Sequence, residues 1–266
     1  MNTSSFRLIW RYQAVWLLRS YGTWIIGGVF VILALTQGLF TQYTPRIIRF
    51  LAGSEVTTLI ESLPEPSWQQ AYAGWIKNLT QILTVILVAM NSFRCSVLTG
   101  NGDIPFIFPG SVQRSHYLIS FAISSWLSTL FLAVFSATLA WAGTSLLFPG
   151  ANPAPIILAS LVWALQIILI HAIQTAAATF KPGIGIPLAA GFGAYLLITM
   201  SAIFIQEGNK TPLGLAPIIN NLAQDTLEAE ACWVLFRFLY WGQLADPCLI
   251  IHIDDVGWSV VSERFV

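Results

Sequence analysis

Long apolar runs, nearly free of charge, recur along the chain at lengths that suit membrane-spanning helices. About 20 mostly apolar residues are needed to carry an α-helix across the hydrocarbon core of a bilayer. Five runs meet this requirement: residues 21–40, 75–93, 117–147, 155–179 and 184–205. The pattern therefore predicts an all-α membrane protein, a polytopic helical bundle with at least five transmembrane helices.

A sixth apolar run, residues 231–253, is interrupted by Arg237 and Asp246. A charge at the middle of a bilayer costs about 2.5–3.5 kcal/mol on insertion scales. The two charges lie nine positions apart, about 14 Å along a helix, which is too far for a direct ion pair. Two predictions stay open: the bundle has six spans if this run crosses the membrane, and five if it lies at the outer surface.

Residues 1–20 carry an amphipathic pattern instead of an apolar run. On a helix over residues 6–20, Arg7, Arg11 and Arg19 fall within an arc of about 120°, opposite a side rich in Trp, Tyr and aliphatic residues. Trp and Tyr favour the headgroup layer, and arginines favour anionic lipid. The pattern favours an interfacial helix; the alternative is a plain cytoplasmic extension of the first span.

Composition and charge exclude several classes of protein. Apolar residues make up 56% of the 266 residues, and charged residues only 9%, against about 25% in an ordinary globular domain. These values exclude a water-soluble enzyme and a disordered regulator. The 12 basic residues balance the 12 acidic ones, so no basic field is present to bind nucleic acid. The three cysteines form no CxxC pair, so neither a zinc site nor a disulfide framework is indicated.

The distribution of basic residues predicts which side of the membrane each segment faces. Placing the N-terminus in the cytoplasm puts six basic residues on inner segments and four in outer loops, which agrees with the positive-inside rule. This orientation places the connection over residues 95–115 in the cytoplasm and the acidic loop over residues 207–230 outside.

Two stretches resemble the permease subunits of the ABC type-2 transporter superfamily. Residues 63–79 are similar to the outer approach to the second span in such permeases. Residues 102–114 resemble the family's cytoplasmic pattern of Gly-Thr, several apolar residues and Pro-Val-Ser-Arg before the third span. Gly102, Val112 and Arg114 match this pattern, and Asp103 stands where the family has Thr.

The resemblance implies the transmembrane subunit of an ATP-driven exporter in the cell inner (cytoplasmic) membrane. Two permease chains, alike or different, would form the pathway among membrane lipids, and separate ABC ATPase subunits would bind ATP and Mg²⁺. The chain has no GxxxxGK[ST] phosphate loop, so we expect no enzymatic activity and no cofactor in this chain. The alternative is a non-transporting membrane scaffold or assembly protein that docks a cytoplasmic partner.

The cytoplasmic connection is the candidate ATPase-coupling loop. Its apolar residues lie in a region that should be wet, and such a patch usually needs a partner surface. The candidate coupling residues are Gly102, Asp103, Ile104, Phe106, Phe108 and Arg114. The alternative is an interfacial loop that buries its aromatic side chains among lipid headgroups.

Polar residues within the spans give a second candidate site. Gln166, His171 and Gln174 share one broad face of the fourth span. In lipid, such a face turns toward other helices or a wet path. The residues line the export pathway in one interpretation and form interhelical hydrogen bonds in the other. No HExxH, GxSxG or Cys/His cluster is present, so no catalytic or metal site is indicated.

Glycines mark places where helices can approach closely. Gly27 and Gly28 predict a close helix contact in the first span. Four glycines surround Pro187 near the fifth span: Gly183, Gly185, Gly191 and Gly193. They indicate either a flexible gating helix or ordinary tight packing.

Overall fold

A computed structural model describes residues 3–52, 65–99, 114–180 and 183–204, together with Ile219, Leu222 and Ala223. These residues belong to one compact unit, Met1–Thr226. The candidate sixth span lies outside the described residues. Within them there are helices and turns but no strand. The helices are α1 (Thr3–Arg19), α2 (Tyr21–Ala52), α3 (Trp68–Asn78), α4 (Thr84–Thr99), α5 (Arg114–Ser145), α6 (Pro153–Ala178) and α7 (Gly185–Phe204).

The predicted all-α membrane bundle is confirmed. Four helical stretches are long and apolar enough to cross a bilayer: Tyr21–Ile48, Trp68–Ser96, Tyr117–Ser145 and Pro153–Ala178. The fifth predicted span forms α7, whose apolar stretch Gly185–Met200 is shorter. The helices of the first two predicted spans extend beyond the apolar runs 21–40 and 75–93. The first continues to Ala52 with Pro45 inside it, and the second runs from Trp68 to Thr99.

Turn and cap residues mark the ends of several helices. Ser20 alone separates α1 from α2, and the exposed Arg7, Arg11 and Arg19 lie on α1. Between α5 and α6, the chain reverses in a short turn in which Gly150 has a φ of +96°, a conformation that favours glycine. Asn152 caps α6 by accepting a hydrogen bond from the Ala154 N–H at 3.1 Å.

A π-helical turn, Leu79–Leu83, joins α3 and α4 into one continuous helix. The Thr84 backbone N–H bonds to the Leu79 carbonyl, five residues back, and the Thr84 hydroxyl also donates to that carbonyl at 2.9 Å. The carbonyl of Thr80 accepts a hydrogen bond from the Tyr195 hydroxyl of α7 at 3.1 Å. Such π turns frequently occur at functional sites.

Large buried aromatic residues hold the helices together. Tyr72, Trp75 and Trp163 are fully buried, and each polar group has a partner, as burial requires. Trp75 Nε1 donates to Ser160 Oγ at 3.2 Å, and Trp163 Nε1 donates to Thr84 Oγ1 at 3.0 Å. These bonds fix α6 against the helix formed by α3 and α4.

The close helix contact in α2 lies at a different glycine from the predicted pair. A β-carbon built on Gly27 or Gly28 would meet no atom of the described residues within 4 Å, so the described helices do not make the predicted close contact at this pair. At Gly38 it would lie 3.2 Å from the Thr144 Cα of α5. Backbone faces backbone there, which is the arrangement that small residues permit between membrane helices.

Candidate functional site

The side chain of Gln174 connects three helices from a fully buried position on α6. Its Nε2 group donates to Ser92 Oγ at 2.7 Å and to the Val88 carbonyl at 2.9 Å, both on α4. The same group lies 3.3 Å from the Pro187 carbonyl of α7. Its Oε1 atom accepts a hydrogen bond from Asn91 Nδ2 at 3.0 Å. Both ends of the amide are therefore bonded within the protein.

Gly191 on α7 provides the space that the Gln174 side chain occupies. A β-carbon at position 191 would lie 2.7 Å from Gln174 Cδ and 2.9 Å from Gln174 Cγ. Real β-carbons do not approach other carbons so closely. In contrast, β-carbons at Gly185 and Gly193 would meet nothing within 4 Å. Of these glycines, Gly191 is the one whose missing side chain has a packing role.

A second set of hydrogen bonds extends from Asn91 to α5 and back to α6. Ser125 Oγ lies 3.3 Å from Asn91 Oδ1 and 3.3 Å from His171 Nδ1. Asn91, Ser125 and His171 are each at most 5% exposed. We refer to Asn91, Ser92, Ser125, His171 and Gln174 as the polar cluster. It joins α4, α5 and α6 through side-chain hydrogen bonds, each worth about 0.6 kcal/mol on average between membrane helices.

A small, partly open cavity of about 20 Å³ lies beside the polar cluster. A cavity of this volume has room for a group the size of a water molecule. Its polar wall contains Thr23, Asn91, Arg94, Ser125, Ser128, Thr129 and His171. Its apolar wall contains Ile26, Leu87, Met90 and Leu132. The cavity therefore lies where α2, α4, α5 and α6 meet.

Arg94 is the cation of this cavity. Its Nη2 atom donates to Thr23 Oγ1 at 2.9 Å, while its buried Nε atom has no hydrogen-bond partner among the described residues. The only carboxylate side chain in the described part of the chain is that of Glu65, which precedes α3. Trp68 and Arg94 are 26 residues apart on the continuous helix, about 40 Å along its axis. No described carboxylate can thus neutralise Arg94.

The three polar residues predicted on the fourth span are all buried in α6, but they do not form one group. Gln174 and His171 belong to the polar cluster, whereas Gln166 does not. The Oε1 atom of Gln166 is buried without a hydrogen-bond partner among the described residues. The hydrogen bonds of Gln174 join neighbouring helices, as expected from the interpretation in which these polar residues hold the bundle together. His171 both bonds to Ser125 and lines the cavity.

Most of the predicted coupling residues lie outside the described residues: Gly102, Asp103, Ile104, Phe106 and Phe108. Arg114 is the first residue of α5. The connection between helices is shorter than the predicted 95–115, because residues 95–99 continue α4. Residues 75–99 contain no glycine or proline that would stop that helix before Gly100.

Sequence reasoning missed Arg94, Asn91 and Ser125. It placed Arg94 just beyond the second span, although the helix continues through this residue. Asn91 and Ser125 are isolated polar residues within apolar runs. Isolated polar residues in membrane helices often form hydrogen bonds to neighbouring helices. A search of each span for such residues could have identified Asn91 and Ser125.

The chain matches no family model, and no curated protein or solved structure matches it.

Proposed function

We propose that the chain is the permease subunit of an ATP-driven exporter of the ABC type-2 class. The observation that supports this best is the polar cluster beside a partly open cavity inside an otherwise apolar bundle. Buried polar side chains are costly in a membrane and tend to mark substrate or ion pathways. A bundle that served only as an anchor would have no need of five such residues on three helices.

The helices that carry the polar cluster also lead into and out of the proposed coupling loop. Asn91, Ser92 and Arg94 lie on α4, which ends at Thr99, and Ser125 lies on α5, which begins at Arg114. Cys95, Phe121 and Ala178 pack together at this end of α4, α5 and α6. A displacement of the loop by an ATPase would therefore reach the polar cluster through packed helices.

The chain supplies no phosphate loop of its own, so separate ABC ATPase subunits would bind ATP and Mg²⁺. The cavity of about 20 Å³ is far smaller than the ~300–1,000 Å³ of typical ligand pockets. Cargo would therefore pass only after the helices rearrange, or between this chain and a second permease chain. The proposed mechanism is alternating access by helix rearrangement. The chain would lie in the cell inner membrane with its N-terminus in the cytoplasm.

A non-transporting scaffold or assembly protein is the second candidate. What favours it is the complete bonding of the Gln174 amide within the protein, which suits a bundle held in one arrangement. In that case the connection between α4 and α5 would dock a cytoplasmic partner that binds no nucleotide.

Copurification from native membranes separates the two candidates. The tagged full chain, extracted in mild detergent, should bring down a protein with a phosphate loop, and the purified pair should hydrolyse ATP. Recovery of the chain with stable partners that bind no nucleotide would contradict the permease proposal and support the scaffold.

A further inference from the structure

We propose that the cavity at Arg94 and His171 binds an oxyanion, the phosphate of an anionic lipid headgroup or free phosphate, one oxygen of which enters the cavity. This inference does not depend on the proposed transport function. It rests on the positive charge at the cavity, on a buried donor without a partner among the described residues, and on the residues that line the cavity.

The first observation is a positive charge inside the bundle with no carboxylate near it among the described residues. The Arg94 guanidinium is a permanent cation in proteins, and it lies on a continuous helix long and apolar enough to cross a membrane, Trp68–Ser96. Charges in such positions are paired or contact a wet cavity. No carboxylate of the described residues lies near it, since Glu65 precedes the far end of that helix. A bound anion would supply the negative charge that the described residues lack near Arg94.

The second observation is a buried donor without a partner. Arg94 Nε is buried and has no hydrogen-bond partner among the described residues. Arg94 lines the cavity together with His171, which is only 3% exposed. Buried polar atoms are normally hydrogen-bonded, so an unpartnered guanidinium nitrogen at a cavity indicates an additional ligand.

The third observation is the hydrogen-bond chain behind His171. The Ser125 hydroxyl has a single proton, which it can give either to Asn91 Oδ1 or to His171 Nδ1. When Ser125 donates to Nδ1, the neutral imidazole carries its proton on Nε2, which then becomes a donor. An anion beside His171 favours this arrangement. The polar cluster can therefore set the tautomer that the site requires.

The lining of the cavity favours the head of an amphiphile. Thr23 is near the start of α2 and Arg94 near the end of α4, so the cavity lies toward one end of these helices. Four aliphatic or thioether side chains form one wall: Ile26, Leu87, Met90 and Leu132. A polar pocket with an adjoining apolar wall suits a charged headgroup joined to an acyl chain.

The test uses the delipidated full chain in two arms. In nanodiscs of phosphatidylcholine, phosphatidylglycerol is titrated and bound lipid is counted by native mass spectrometry. In lipid-free detergent, inorganic phosphate is titrated and thermal stabilisation is measured. Arg94→Gln should weaken binding of the anion about thirtyfold, and Arg94→Lys should retain most of it. Binding in the first arm alone identifies a lipid headgroup as the source, and binding in both identifies any phosphate.

Two further variants serve as a charge control and as an independent test of the cavity. Arg11→Gln removes an exposed cation of α1 and should change binding by no more than about fivefold. Ser128→Leu fills the cavity without changing its charge, and it should abolish binding even if Arg94→Gln fails to fold. The proposal is wrong if neither anion binds the wild-type chain more tightly than the cavity variants. It is also wrong if either anion binds only after Asp103→Asn, since the chain's own carboxylate would then fill the site.

Discussion

Gln174 on α6 lies against Gly191 on α7, so closely that a β-carbon at position 191 would fall 2.7 Å from Gln174 Cδ. Because Gly191 on α7 has no side chain, the buried amide of Gln174 on α6 has room to reach α4. The hydrogen bonds of Gln174 to Val88, Asn91 and Ser92 on α4 use this space.

Gly191→Ala should destabilise the bundle. The added methyl group must displace Gln174, so we expect a loss of about 1–3 kcal/mol in the free energy of unfolding, the usual range for overpacking. Unfolding in detergent, followed by circular dichroism, measures this. Gly193→Ala is the matched control, because a β-carbon there meets no atom within 4 Å. Equal stability of the two variants would show that the Gly191 contact has no energetic role.

Gln174→Leu should also destabilise the bundle, for a different reason. It removes the acceptor of Asn91 Nδ2 and the amide that donates to Ser92 Oγ, and a buried polar group left unsatisfied costs about 1–3 kcal/mol. The same unfolding measurement applies. Gln69→Leu changes the same residue type at an exposed position of α3 and should have little effect. A Gln174→Leu variant as stable as wild type would mean that these hydrogen bonds contribute nothing net.

Gly38→Leu should be poorly tolerated and Gly28→Leu well tolerated. At Gly38 the nearest atoms are backbone atoms of α5, with Thr144 Cα 3.2 Å from a built β-carbon. Backbone atoms cannot move aside as a flexible side chain can, so α2 and α5 must separate. The yield of folded protein after detergent extraction and size-exclusion chromatography reports this. A monodisperse, stable Gly38→Leu variant would contradict the close contact.

The sequence was informative about helices and much less so about their contacts. The need for about 20 apolar residues per span located the helices well, because it depends on each segment alone. The rotation of α2 against α5 decides whether Gly38 or the pair Gly27 and Gly28 makes the close contact. The sequence of α2 alone does not specify this rotation. The pairing of Asn91 with Gln174 likewise requires knowledge of which helices are neighbours. Helix ends were also misjudged, since residues 94–99 lack an apolar pattern yet continue α4.

Cysteine labelling should place the loops on the predicted sides of the membrane. In a variant without its three native cysteines, Glu61→Cys and Glu228→Cys should react with an impermeant reagent added outside intact cells. Asp103→Cys should react only after the membrane is permeabilised, because the arginines beside the first span favour a cytoplasmic N-terminus. Labelling of position 103 from outside would reverse the orientation and remove the proposed contact with an ATPase.

Phe106→Ala and Phe108→Ala should each either weaken the association with the ATPase or uncouple ATP hydrolysis from export. Positions two apart on a helix are about 200° apart, so a helical loop would direct one aromatic side chain to the ATPase and the other to the permease. Truncating a buried interface aromatic typically costs about 2 kcal/mol, roughly thirtyfold in affinity. The ratio of ATPase to permease after copurification measures the loss, and ATP-dependent export measures uncoupling. Phe180→Ala is the control, because that phenylalanine is exposed just beyond α6. If both loop variants retain the ATPase and full export, residues 100–113 are not the coupling element, and the permease proposal loses its mechanism.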